Sequence, residues 1–306
     1  MGGIYPSAPT QADIDIRTLW RFLQDPTSVG RLVNDVNANT FVSDFVFPTT
    51  IETNGALLYE VGDGSYVDRD PEEIAPGAVY PRARPTEGAA AFARVPKIGE
   101  DVEITDEKLQ ESKRDELNRA AQQVGRKVRR GIDTPAILSA AAAVTKTVTA
   151  QADWKSSGQK AWLDIMLAVA SINDEDENYE ADTVLLSWTA YAWAASSLLP
   201  SLPRESSNGV VNTGRLPEVA GLSFAPAKLP AGTDAMVLDR KVFGSRAFRR
   251  IPSPEYSGDP ATGIETWAGR NPLRNDAWVI RGRRPMIAVV REPRAARRIT
   301  GTGVSA

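Results

Sequence analysis

The sequence contains no cysteine and no histidine. Without thiols there can be no disulfide, no thiolate metal ligand and no cysteine nucleophile. Without imidazole, histidine-ligated metals and every mechanism built on a histidine base are excluded. Phosphate-cradling glycine motifs are missing too: there is no Walker sequence and no G-x-G-x-x-G placed between a strand and a helix. G-x-S-x-G is absent, and a hydrolase triad would in any case lack its histidine. The longest small-apolar run, Ile137 to Val144, is far short of the roughly 20 residues that cross a bilayer. Met1 to Thr10 holds no lysine or arginine and is followed by Asp13, Asp15 and Arg17, so no secretory leader is expected. The expectation is a soluble protein made in a cytoplasm, with no membrane partner.

What is present is ordinary globular composition over 306 residues, 42% hydrophobic and 25% charged, with 36 basic and 39 acidic side chains. That length suits two domains, or one large domain with extensions. The charge is unevenly spread. Ile51 to Glu107 carries 13 acids and 5 bases, whereas Arg240 to Ala306 carries 14 bases and 5 acids. Two such segments can pair within one chain or between copies of it.

Along the chain, Ile14, Leu19, Phe22 and Leu23, then Val29, Leu32, Val33 and Val36, have the spacing of short helices, and Phe41 to Phe47 reads as a short apolar strand. Tyr59 to Glu100 holds five prolines and few large apolar residues, so it cannot build a core of its own. Strand-like runs flank it, Gly55 to Val61 and Ala90 to Ile98, which predicts a long protruding hairpin with nothing of its own chain to pack on. A helix start follows. Thr105 suits the N-cap, Asp106 and Glu107 the first turn, and Ile104 can staple onto Leu109. Leu109, Leu117, Ala121, Val124 and Val128 mark one face. Arg126, Lys127, Arg129 and Arg130 crowd the last turns, and Thr134-Pro135 either kinks this helix or starts a second. Beyond it, helices at Trp162 to Ile172 and Tyr191 to Leu199 alternate with strands at Thr183 to Ser187, Gly221 to Ala225 and Ala235 to Leu238, an α/β layer. Ala277 to Arg281 and Met286 to Arg291 read as two closing strands.

Carboxylates are the remaining candidates for acid-base work, and Asp68, Asp70, Glu72 and Glu73 form the densest cluster. Paired carboxylates can split their pKa values or hold a hard cation. Here they sit among prolines, in the segment least able to build a desolvated pocket. The arginines Arg291, Arg294, Arg297 and Arg298 can contact phosphates, but such a run is more often a solvated edge or an ion-pair partner. Trp188 and Trp193 read as helix core rather than a base-stacking platform.

Taken in order, several segments carry a resemblance: the helical arm, Gly55-Ala-Leu-Leu-Tyr-Glu60, the loop Asp68-Arg-Asp-Pro-Glu72 with Ala75-Pro-Gly77, and Lys97 to Thr105 leading into the long helix. Arg130-Gly-Ile-Asp133, Gly221 to Asp239 and the ending Glu292-Pro-Arg-Ala-Ala-Arg-Arg-Ile-Thr-Gly301 continue it. Together they resemble the major capsid proteins of tailed bacteriophages, above all those infecting actinobacteria.

The resemblance implies an α+β chain with the Hong Kong 97-type capsid fold. The expected parts are an N-terminal arm over 1–47, an extended loop over 48–100, a peripheral domain with its spine helix over 101–153, an axial domain over 154–270, and strands over 271–306 returning to the peripheral domain. It also implies hexamers and pentamers in an icosahedral shell around double-stranded DNA, with portal and possible scaffolding or decoration proteins as partners. Assembly in the bacterial cytoplasm, no enzymatic activity, and no cofactor or metal are expected. Some relatives carry an N-terminal scaffolding segment; none is seen here, so scaffolding is expected to be separate or dispensed with. Others weld subunits through a lysine, but the first lysine is Lys97, at the base of the loop. The intersubunit residues expected are Asp68, Arg69, Asp70, Glu72 and Glu73 at the loop tip, meeting arginines of an adjacent subunit, Arg291, Arg294, Arg297 and Arg298 among them. Rival readings are an encapsulin-like compartment of the same fold and, from another class, a carboxylate-dependent carbohydrate-active enzyme.

Overall fold

The computed structural model describes residues 33, 41–62, 67–155, 160–175, 177–203, 210, 215–258, 263–271 and 276–304. The expected arm helices lie outside these residues, except that Val33 is helical and buried. The chain forms two compact units: one of residues 1–41, 96–133 and 250–286, the other of 42–95, 134–249 and 287–306.

In the first unit, β4 (Lys97–Thr105) runs straight into α2 (Asp106–Ala143). The Asp106 N–H donates to the Asp276 carbonyl at 3.0 Å, and Arg270 Nη1 holds the Asp106 carboxylate at 2.8 Å. Backbone hydrogen bonding, then the Thr105 side chain, keeps Glu107 below the ordinary carboxylate range, as an N-terminal carboxylate should be. Against this helix lies an antiparallel sheet of β10 (Ser257–Gly258), β11 (Glu265–Arg270), β12 (Ala277–Val290) and β4. Leu109, Leu117, Ala121, Val124, Val128 and Ile132 pack on Ile264, Trp278 and Ile280. The approach is close at Gly282, where an added Cβ would stand 2.5 Å from Val124 Cγ1. Gly282→Ala should therefore cost about 1–3 kcal/mol by overpacking. Adding Val124→Ala should recover part of that loss in urea denaturation of unassembled subunits.

The second unit holds a mixed sheet in the order β5 (Thr147–Thr149), β13 (Ala296–Thr300), β8 (Ala235–Leu238), β6 (Thr183–Leu186), β7 (Ser223–Pro226). β8 is apolar at every position and β6 at all but Thr183, because both faces of these strands are covered. Val184, Leu186, Ala235, Val237 and Ile299 meet α3 (Lys160–Asn173) and α4 (Trp188–Leu198). Leu185, Met236 and Leu238 instead meet Ala136, Ala140 and Val144, with Phe47 stacked on Phe243. The short α1 (Val42–Val46) and α5 (Arg240–Phe243) complete this side. β9 (Gly244–Phe248) pairs in parallel with β1 (Thr49–Glu52).

Four expectations need correction. Phe41 to Phe47 is not a strand: Phe47 donates its N–H to Ser43 O at 2.9 Å in a helical turn, since a run this short carries no decisive period. The long helix neither stops at Arg130 nor restarts at Pro135, because Ile132, Ala136, Ile137 and Ala140 are buried on both sides of the proline and that packing outweighs its cost of about 3 kcal/mol. The two closing strands are one, β12, in which Pro285 takes the last rung opposite Lys97. Residues 250–270 group with the first part of the long helix rather than with the mixed sheet, and β13 pairs with β8 and β5 in that sheet.

Candidate intersubunit surfaces

The predicted protruding hairpin exists as β2 (Ala56–Val61) paired antiparallel with β3 (Ala89–Arg94). It turns off β1 at Gly55, whose φ of +122° only glycine takes without strain. The Arg249 guanidinium lies against that glycine, 3.3 Å from where a Cβ would stand. Val95 N–H donates to Gly55 O and, at the far end, Gly62 N–H donates to Arg291 O at 2.8 Å. Leu57, Tyr59 and Ala93 on the inner face are half-buried or buried. The hairpin thus has support within its own unit, which corrects the expectation that it has nothing there to pack on. Among the described residues nothing covers the opposite face. Leu58 and Phe92 are cross-strand partners on it, 74% and 69% exposed.

Those two residues were missed from sequence, although a signal exists. Leu57 and Leu58 are adjacent in a strand, so one of them must face away from whatever the other covers.

Beyond the strands, Val67 bridges Pro85 and the Asp68 carboxylate accepts the Arg84 N–H at 2.8 Å. Arg69 Nη2 pairs with Glu72 Oε1 at 2.5 Å. Asp68, Arg69, Asp70, Glu72 and Glu73 are all exposed. Carboxylates so exposed line no desolvated pocket, so this geometry does not support the carbohydrate-enzyme reading. Among the described residues no acidic cluster has the arrangement of a metal site.

The arginines are divided. Arg291 is exposed and Arg298 half-buried. Arg294 binds Glu292 and Glu177, each at 3.1 Å. Arg297 is 3% exposed, donating to Ser171 Oγ at 3.0 Å, to the carbonyls of Ser171, Arg294 and Ala296, and to Glu175. Two of the expected contact arginines are therefore engaged inside their own chain. Asp101 with Arg281 and Asp106 with Arg270 likewise join the acidic and basic segments within one subunit. Trp188, expected in the core, is 68% exposed at the start of α4, while Trp193 packs on the main cluster.

Glu175 joins Lys146 and the buried Arg297. The Lys146 hydrogen bond, opposed by burial and aided by the Arg297 charge, holds its carboxyl below the ordinary 4.5. A depressed value stabilises the fold fully above 4.5 and ceases to do so as the pH falls through the lower, folded value. Glu175→Gln should cost about 1–3 kcal/mol at neutral pH. Its deficit in urea denaturation should shrink on acidification below the ordinary carboxylate range.

Comparison with known proteins follows the same lines. No curated protein sequence matches the chain. Among solved structures, a chain of Mycobacterium phage Bobi aligns with a TM-score of 0.57 at 13% identity, over 86% of this chain and 91% of that one. The capsid structure of the cyanophage P-SCSP1u gives 0.57 at 12% identity, over 82% and 85%. A virus-like particle from Pyrococcus furiosus gives 0.53 at 11% identity, over 95% and 100%. These likenesses establish the Hong Kong 97-type fold. Residues 88–299, spanning the hairpin's return strand, the spine helix and both sheets, match the phage capsid protein family, and the chain belongs to that family.

Proposed function

We propose that this chain is the major capsid subunit of a tailed phage, assembling as hexamers and pentamers into an icosahedral shell that encloses double-stranded DNA, with portal and scaffolding or decoration proteins as partners and assembly in the host cytoplasm. The observation that carries the reading, beyond family membership, is the supported hairpin whose outer face presents Leu58 beside Phe92 to solvent. Such a face suits a protein whose working state supplies the missing cover from another copy. The loop tip adds charge to that contact, Asp68, Asp70, Glu72 and Glu73 meeting exposed arginines of the neighbour such as Arg291. Each exposed pair contributes only about 0.2–1 kcal/mol, multiplied by the number of subunits.

Light scattering and electron microscopy of the purified protein at micromolar concentration should show capsomers or shells. A monomer that persists across salt and concentration contradicts the proposal. Replacing the four tip carboxylates by alanine should slow assembly or make it salt-sensitive, with unchanged circular dichroism; normal assembly would dispose of the clamp alone. No lysine lies between Arg69 and Arg94. Boiled particles should accordingly run as single chains on a gel rather than as ladders.

The alternative is an encapsulin-like compartment of the same fold, which a shared fold does not separate from a capsid. The nucleic acid content of purified particles separates the two.

A further inference from the structure

The first unit carries a basic surface that none of the contacts above uses. From Leu117 to Ile132 the sequence has no acid and five cations, Arg119, Arg126, Lys127, Arg129 and Arg130. Helical geometry sorts this segment of α2 into two faces. Leu117, Ala121, Val124 and Val128 are buried, while Arg119, Gln122, Gln123, Arg126, Lys127 and Arg130, recurring at steps of three and four, are exposed. At 1.5 Å per residue the basic strip is about 16 Å long.

Among the described residues little neutralises it. Arg119 reaches Glu116, and Lys127 reaches Glu100, only at 4.0 Å, the limit of an ion pair. Among the described residues Arg126 meets the Gln122 amide, at 3.5 Å. Arg281, Arg283 and Arg297, by contrast, all hold carboxylates in close contact. The strip is not an overflow of general basicity either, for the whole chain has a net charge of −3.

We propose that this exposed face of the spine helix binds the phosphate backbone of duplex nucleic acid without regard to sequence; the inference rests on the capsid reading and names the surface its cargo touches. Charge magnitude decides the occupant. Residues 67–87, the loop tip of another copy, carry five acids and three bases. A duplex offers one negative charge per roughly 1.7 Å of axis, hence about ten along the strip. The helix has no Phe, Tyr or Trp, so it offers no stacking platform for single strands. Glutamine amides donate to phosphate oxygens, and a flat row of cations reads no base edges.

The test uses the purified full chain, held below its assembly concentration as checked by light scattering, and a fluorescent 30-base-pair duplex of arbitrary sequence. Four phosphate contacts predict a salt slope near 3.6 and so a loss of about 100-fold in affinity between 50 and 200 mM salt. Arg119→Gln, Arg126→Gln, Lys127→Gln and Arg130→Gln combined should remove that slope and at least 10-fold of the low-salt affinity, while circular dichroism and shell formation persist. A control with Arg82, Arg84, Arg94 and Lys97 changed to Gln loses the same charge elsewhere and should bind as the unsubstituted chain does. Unchanged binding by the helix variant, or an equal loss in the control, overturns the proposal and leaves the capsid reading standing. A helix variant that cannot assemble when the unsubstituted chain can makes the strip a contact between copies, which also overturns it. If the unsubstituted chain forms no particle in any salt, the capsid reading fails, and the proposal with it.

Discussion

Aspartate at both Leu58 and Phe92 should leave the subunit folded and stop shells from forming. Both side chains are mostly exposed in the isolated chain, so removing them takes little from its own packing, and exposed substitutions typically move stability by no more than about 0.5 kcal/mol. In a shell the same face would be covered. Burying a leucine or phenylalanine contributes about 1.5–3 kcal/mol each. The double variant forfeits both and asks the contact to desolvate two new carboxylates. Because every subunit repeats the contact, the deficit is multiplied around each capsomer. Size-exclusion chromatography with light scattering reads the outcome: folded monomers are expected at concentrations where the unsubstituted chain gives particles. Normal shells from the variant would mean that the hairpin's outer face stays bare in the assembled state. Leu57→Asp, on the half-buried inner face, should instead lower subunit stability.

The second large effect is expected at Trp154. Its side chain is fully buried in the core of the axial sheet, and its indole N–H donates to Asp164 Oδ2 at 2.7 Å. Asp164 is itself buried, its other oxygen accepting the Gln151 N–H at 3.1 Å. The Trp154 N–H of the backbone donates to Thr302 O at 2.9 Å, so the residue also fastens the end of the chain. Trp154→Ala should cost about 3–5 kcal/mol, by leaving a cavity and one carboxylate oxygen unsatisfied. Trp154→Phe keeps most of the volume and loses only the N–H, so about 1–3 kcal/mol is expected. Urea denaturation of unassembled subunits gives both values, and equal costs would show that the Asp164 bond, rather than packing, dominates.

Much of this architecture was written in local pattern. The spine helix announced itself through Thr105, Asp106 and Glu107 and through the spacing of Leu109, Leu117, Ala121, Val124 and Val128, all cues that act within a turn or two. The buried axial strands showed as apolar runs for the same reason, being covered on both faces. The hairpin was legible from proline density between two strand-like runs. What escaped were β1, β5, β9, β10, β11 and β13, since strands such as Arg-rich β13 exist only because a distant partner, β8 or β5, supplies their hydrogen bonds.

The absence of thiol and imidazole chemistry, the start and apolar face of the long helix, the position of the loop and the charge bias of the two halves are properties of residue type and spacing, and the sequence alone determined them. Which charges remain for a partner was decided only by the tertiary structure. Arg294 and Arg297 lie beside Arg291 in sequence yet are engaged by Glu292, Glu177 and Glu175, while Arg126 and Lys127, which read as part of the helix's last turns, lie exposed in the middle of it. The division between half-buried Leu57 and bare Leu58 belongs there too. Contacts such as Arg294 with Glu177 and Arg297 with Glu175 join residues more than a hundred positions apart, and no local period encodes them.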